Sequence, residues 1–247
     1  MATPPAERGG SGKPRSRRFG TARPSGVRLD VSAADYAWAL ARIREGVLRP
    51  AVPAAYETGP LAPVLLVPGV LEHWTMMREI ADRLNRVGHP IRTLPELRRN
   101  TIPIPAAAGL IARFLRERDL RGVVVVAHSK GGLIAKSLLL GEESDCIARV
   151  IAIATPFAGS SLATWMPSRT LRALRPADPT IAALVAELAV NARIVSVYPA
   201  FDPHIPGGSR LEGARNVPVS ATGHFRVLGS PEVIDAVERH ASPTVEG

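Results

Sequence analysis

The stretch "VVVVAHSKGGLIAKSLLL" (123–140) constrains this chain more than any other. Four valines and an alanine with no polar alternation fit a short strand covered on both faces. The run passes into His128, Ser129 and Lys130, then into two glycines, and then into apolar residues at helical spacing. A buried strand that turns directly into a helix belongs to a parallel sheet, because parallel strands need such crossovers.

The rest of the chain repeats the pattern. "PVLLVPG" (63–69), "IRTLPEL" (91–97), "ARVIAIAT" (148–155), "RIVSVYPAF" (193–201) and "NVPVSATG" (216–223) read as strands. Helices are expected over 30–48, 73–88, 104–120, 131–141 and 230–241, with one or two more in 157–190. In the first, Tyr36, Leu40 and Ile43 fall near helical spacing and Ser32 is a candidate cap. The expected fold is α/β, a mostly parallel central sheet with helices on both faces. Residues 157–190 leave room for a small lid or none. In such sheets function gathers at the carboxyl ends of the strands.

Length suits one domain of this kind, here 29–247, preceded by a tail, 1–28. The formal charge of +9 is concentrated in that tail, whose seven basic residues and one acid leave only +3 for the remainder. Rich in Pro, Gly and Arg, the tail is expected to be disordered. A weak contact with anionic surfaces fits it, whereas the near-neutral remainder argues against a nucleic-acid partner. "RSRRFG" is followed by polar residues rather than an apolar run, so no export signal is expected, and no stretch reaches the roughly 20 apolar residues of a membrane helix. The single cysteine, Cys146, allows no intramolecular disulfide and reads as a small packing residue; a cytoplasmic location is expected.

Ser129 stands where a strand meets a helix, with Ala127 and Gly131 two positions to either side. Small residues there let strand and helix approach, and the tight turn lifts the serine hydroxyl above the sheet, as in a nucleophile elbow. A serine needs a base, and the base needs an orienting carboxylate, following in the order Ser, acid, His. Asp202 follows "RIVSVYPAF" and His224 follows "NVPVSAT", both at strand ends and in that order. Glu142, Glu143, Asp145 and Asp178 lie in polar turns or loops. Among the other histidines, His128 is expected to point away from the serine and pack, and His204 is too near Asp202 in sequence to reach across it. An oxyanion hole needs two backbone amides: that of Lys130, after the serine, and one from the loop after the first core strand, where Val70 follows Gly69.

Four separated stretches, "PVLLVPG", "VVVVAHSKGGL", "IAIATPFAGSSLA" and "SRLEGARNVPVSATGHFRVLGSPEV", resemble the α/β-hydrolase superfamily, and within it the small bacterial lipase/esterase group. The resemblance spans about residues 60–245. It implies Ser129, Asp202 and His224 as a catalytic triad, the Val70 and Lys130 amides as the oxyanion hole, and no cofactor or metal. It departs from the group's pattern where Pro68-Gly69 replaces the usual His-Gly, and many relatives are secreted.

The expected function is a serine carboxylic-ester hydrolase acting on a small ester or lipid through an acyl-enzyme. An acyltransferase or thioesterase with the same triad, and a hydrolase-fold binding protein without turnover, remain open. Trp74, Met77, Trp165 and Met166 lie near strand-end loops and are either pocket walls or ordinary packing residues. The Lys130 side chain reads either as a contact for an anionic substrate group or as a solvated helix-start residue.

Overall fold

The computed structural model describes residues 29–242; the basic tail lies outside the described residues. Six strands form one sheet: β1 (Val64–Val67), β2 (Ile91–Arg92), β3 (Val123–His128), β4 (Ile147–Ile153), β5 (Ile194–Phe201) and β6 (Arg215–Thr222). Their order is β2-β1-β3-β4-β5-β6, and every neighbouring pair is parallel. Around the sheet run α1 (Leu29–Leu48), α2 (Arg78–Arg86), α3 (Ile104–Glu117), α4 (Lys130–Leu138), the short α5 (Arg169–Arg172), α6 (Pro179–Ala186) and α7 (Pro231–Ala241).

The apolar strands are apolar because both their faces are covered. Along β3, Val123, Val125 and Ala127 join a core with α3, α4 and α6, while Val124 and Val126 join a second core with α2 and α7. The period of two that separates them is that of any strand. All six β3 residues are buried.

β2 is shorter than its sequence suggests. Pro95 has no amide to donate to a ladder, and residues 95–97 form a 3-10 turn that buries Leu97 instead. The helix expected over 73–88 likewise divides into a 3-10 turn (Trp74–Met77) and α2. α1 already includes Leu29, so Ser32 lies inside the helix rather than at its start. Residues 157–190 hold two short helices, α5 and α6, a 3-10 turn at Ser161–Trp165 and the start of another at Ala189–Arg193. Among the described residues no helix is long and apolar enough to cross a membrane.

The chain runs from β1 outward to β2, then crosses back to place β3 on the other side of β1. Strand order therefore reverses between β1 and β3, and the crevice at their carboxyl ends is where such sheets bind ligands. Ser129 and the loop of residues 68–73 both open into it.

Candidate active site

Ser129 links β3 to α4 with φ 52° and ψ −121°, a conformation that costs on the order of 1–3 kcal/mol for a residue with a side chain. The surroundings force it. A Cβ on Gly131 would run into the backbone carbonyls of Val67 and Pro68, and one on Gly132 into the Thr155 side chain. α4 can thus lie close against β1 and β4 only because both positions are glycine. Ala127, where a glycine is commonest in such turns, is completely buried and its methyl is accommodated.

Ser129, His224 and Asp202 form one hydrogen-bonded chain. His224 Nε2 lies 3.0 Å from Ser129 Oγ, and His224 Nδ1 lies 2.8 Å from Asp202 Oδ2. All three side chains are buried. Asp202 Oδ1 accepts the amides of His204 (2.8 Å) and Ile205 (3.2 Å), which fixes the carboxylate. Burial alone would lower the His224 pKa, but the Asp202 charge, its hydrogen bond, and the Glu72 and Asp35 charges outweigh that and raise it. Burial would raise the Asp202 pKa, and the His224 interaction reverses it to a net lowering. A hydroxyl on an imidazole whose other nitrogen faces a fixed carboxylate can lose its proton as its oxygen attacks.

A second polar cluster supports the first. His128 was expected to pack; it is instead buried and polar at both nitrogens, with Nδ1 2.9 Å from each Glu72 oxygen and Nε2 3.0 Å from the His224 carbonyl. Glu72 Oε2 also accepts the Gly69 amide at 2.9 Å, so the acid that holds His128 also holds the loop carrying Val70. Pro68-Gly69, in place of His-Gly, is thereby held from the far side of the loop. Gly69 is needed there, since a Cβ would strike the Glu72 carboxylate.

The Lys130 side chain is neither solvated nor in the crevice. It is buried, and its Nζ donates to the carbonyls of Asn100 (2.8 Å) and Ile102 (2.5 Å). Burial lowers its pKa to about 8. Asn100 in turn donates from Nδ2 to the Pro68 carbonyl at 2.6 Å, bracing the other side of the same loop. Glu72 and Asn100 carried no motif in the sequence; Glu72 lies 56 residues from His128, and only a fold-level contact joins them.

A cavity of about 580 Å³ opens onto Ser129 and His224. Its wall is mostly apolar, including Leu40 and Ile43 of α1, Val70, Met76, Met166 and Ile205. Met166 is thus a wall residue. Trp74 and Met77 are not: they face the second core, where the 3-10 turn packs on β1. Trp165, one position before Met166, is 87% exposed and outside the cavity. The ring of His204 also lines the cavity, accompanied by the Tyr36 hydroxyl 2.8 Å from its Nε2. Burial and the neighbouring His224 lower the His204 pKa to about 4, so it stays neutral at physiological pH.

Asp202, His204 and His224 bring one potential metal-ligand atom each to within 4.8 Å of one another. The side-chain atoms of Asp202 and His224 are already engaged with each other, with Ser129 and with backbone amides. That donor set suits a proton relay better than a metal cage, which takes several free ligands.

No protein-family model matches the chain, and no curated protein matches it in sequence. Solved structures do resemble it. A lipase of Bacillus licheniformis in its mature form is 17% identical with a TM-score of 0.58, over 74% of this chain and 93% of that one. Lipase B of Aspergillus fumigatus is 18% identical with a TM-score of 0.61, over 96% of this chain and 64% of that one. An extracellular α/β-hydrolase of a Paenibacillus species is 16% identical with a TM-score of 0.53, over 74% of this chain and 99% of that one. With the parallel sheet and its strand order, these likenesses show that the chain has the fold of the α/β-hydrolase superfamily.

Proposed function

We propose that the protein is a serine carboxylic-ester hydrolase of the lipase/esterase kind, with Ser129 as nucleophile, His224 as base and Asp202 as the orienting acid. The observation that carries this reading is the Ser129–His224–Asp202 chain on a strained turn at the mouth of an apolar cavity. His224 takes the hydroxyl proton as Ser129 Oγ attacks the ester carbonyl, and Asp202 stabilises the imidazolium that forms. The Val70 and Lys130 amides receive the developing oxyanion, at a loop braced by Glu72 and Asn100 and at the first turn of α4. His224 returns the proton to the leaving alcohol, and water then releases the acid by the same route. The apolar lining favours a substrate with an uncharged, apolar acyl chain.

The test is a panel of p-nitrophenyl esters from short to long acyl chains, run on wild type and Ser129→Ala. Wild type should turn over. The variant should melt as cooperatively as wild type and lose a factor on the order of 10⁶ in kcat, the loss seen when a triad serine is removed. Equal rates for the two proteins would leave a binding protein as the better description.

A further inference from the structure

We infer that α1 is a positioning element for this site: Asp35 holds the turn that carries His224, and Tyr36 holds the loop that carries Asp202. The inference rests on the proposed reaction, because it assigns the two residues a part in aligning its base and acid.

Asp35 is a carboxylate with no exposed surface, on a helix that lies outside the sheet. Its Oδ1 accepts the amides of Phe225 (2.8 Å) and Arg226 (2.9 Å), the two residues after His224. Hydrogen bonds to a charged acceptor are the stronger kind, and two of them set both the position and the direction of the turn. The residue before His224 is shaped for the same contact. Gly223 has φ +104°, and a Cβ there would sit 2.6 Å from Asp35 Oδ1. A side chain at 223 would therefore be strained and would push the carboxylate away.

The next residue on α1 reaches the other loop. The Tyr36 hydroxyl meets His204 Nε2 at 2.8 Å, and the His204 amide is one of the two that fix Asp202 Oδ1. Asp35 Oδ2 lies 3.8 Å from His204 Nδ1, and neither of these buried atoms has a hydrogen-bond partner among the described residues. Phe225 packs against both rings, edge-on to His204 and to His224. Consecutive positions on one helix thus grip the acid loop and the base loop, whose catalytic residues are 22 apart in sequence.

A carboxylate that only capped the turn at 226–229 would affect stability alone. One that positions the base also acts through its charge. The groups facing His224 are the carboxylates of Asp202, Glu72 and Asp35 and the rings of His128 and His204, with the Tyr36 hydroxyl behind His204; the Arg226 guanidinium turns away to Thr222. Asp35 is one of the three carboxylates that raise the His224 pKa.

The experiment uses the full chain with Asp35→Asn and Asp35→Ala, assayed on a soluble ester across pH. The amide keeps an oxygen toward the two backbone amides and removes the charge. It should hold the alkaline plateau of kcat within about threefold while the acidic limb moves to lower pH by roughly half a unit. Alanine removes the grip as well, and kcat should fall about a hundredfold with KM within about twofold. NMR titration of His224, with no substrate present, should show the same displacement in Asp35→Asn. The inference is overturned if His224 titrates as in wild type in Asp35→Asn, or if a folded Asp35→Ala keeps its kcat. Should Asp35→Ala fail to fold, the amide variant alone decides. A wild type without turnover would instead sink the ester-hydrolase reading, and the His224 titration would still decide the role of Asp35.

Discussion

The β3–Ser129–α4 turn and helix α1 both shape the same cavity, but they do so by opposite routes. The turn is defined by neighbours in sequence: an apolar strand, a strained serine and two glycines that let α4 close on the sheet. α1 has no such local logic. Its apolar residues Tyr36, Leu40, Ile43 and Val47 line the cavity, while the face it turns inward carries Val31, Asp35 and Ala39. A helix normally buries its apolar stripe. Here the stripe stays exposed along the cavity, and a carboxylate is buried in its place because the turn after His224 offers two amides for it. Ser129 is placed by short-range geometry, and Asp202 and His224 are placed by long-range contacts.

That contrast can be broken experimentally, beginning where the effect is largest. Asp202→Asn should cut kcat by about 10⁴ while leaving the fold intact, because an amide neither stabilises the imidazolium nor fixes its tautomer. In wild type, activity should rise with pH as His224 loses its proton. Since its pKa is raised, the acidic limb should lie above the ordinary histidine value of about 6.5. A near-normal Asp202→Asn, or a limb well below that value, would mean that the Asp202–His224 contact is not the working one.

Gly131→Ala tests the turn itself. Its new Cβ meets two backbone carbonyls of β1 and the following loop, which have no side-chain freedom to yield. The protein should lose about 3 kcal/mol or more of stability, read as a drop in Tm together with lost turnover. A fully stable, active variant would show that α4 does not depend on that close approach.

Glu72→Gln should lower kcat by about a hundredfold with a smaller change in KM, since it loosens the Gly69 amide and His128 together. A change confined to KM would show that the loop is held without it. The smallest effects belong to the cavity wall on α1. Leu40→Ala should raise KM for long acyl esters about fivefold and leave acetate esters unchanged. Trp165→Ala should alter neither on soluble esters, its ring being exposed and outside the cavity.

What could be read from the sequence follows the same division. The six strands, the elbow and the order Ser129, Asp202, His224 were legible because each rests on local pattern, and the structure brings those three residues together. Side-chain direction was not. Lys130 reads as a surface residue until Asn100 and Ile102, some 30 residues away, supply carbonyls for its ammonium. His128 reads as packing until Glu72 arrives from another loop. Trp74 and Met166 carry the same sequence signal, an apolar residue beyond a strand, and only packing sends one into the core and the other to the cavity.

The Glu72–His128 pair joins the Gly69 amide at one end to the His224 carbonyl at the other. The loop carrying Val70 and the turn carrying His224 are therefore two ends of a single strut, whose middle is sealed from water. Hydrogen bonds that tie the two ends together resist a change in the gap between them more than they resist a movement of both ends at once. For a reaction whose rate falls steeply with tenths of an ångström, constancy of that gap matters more than the stillness of the parts.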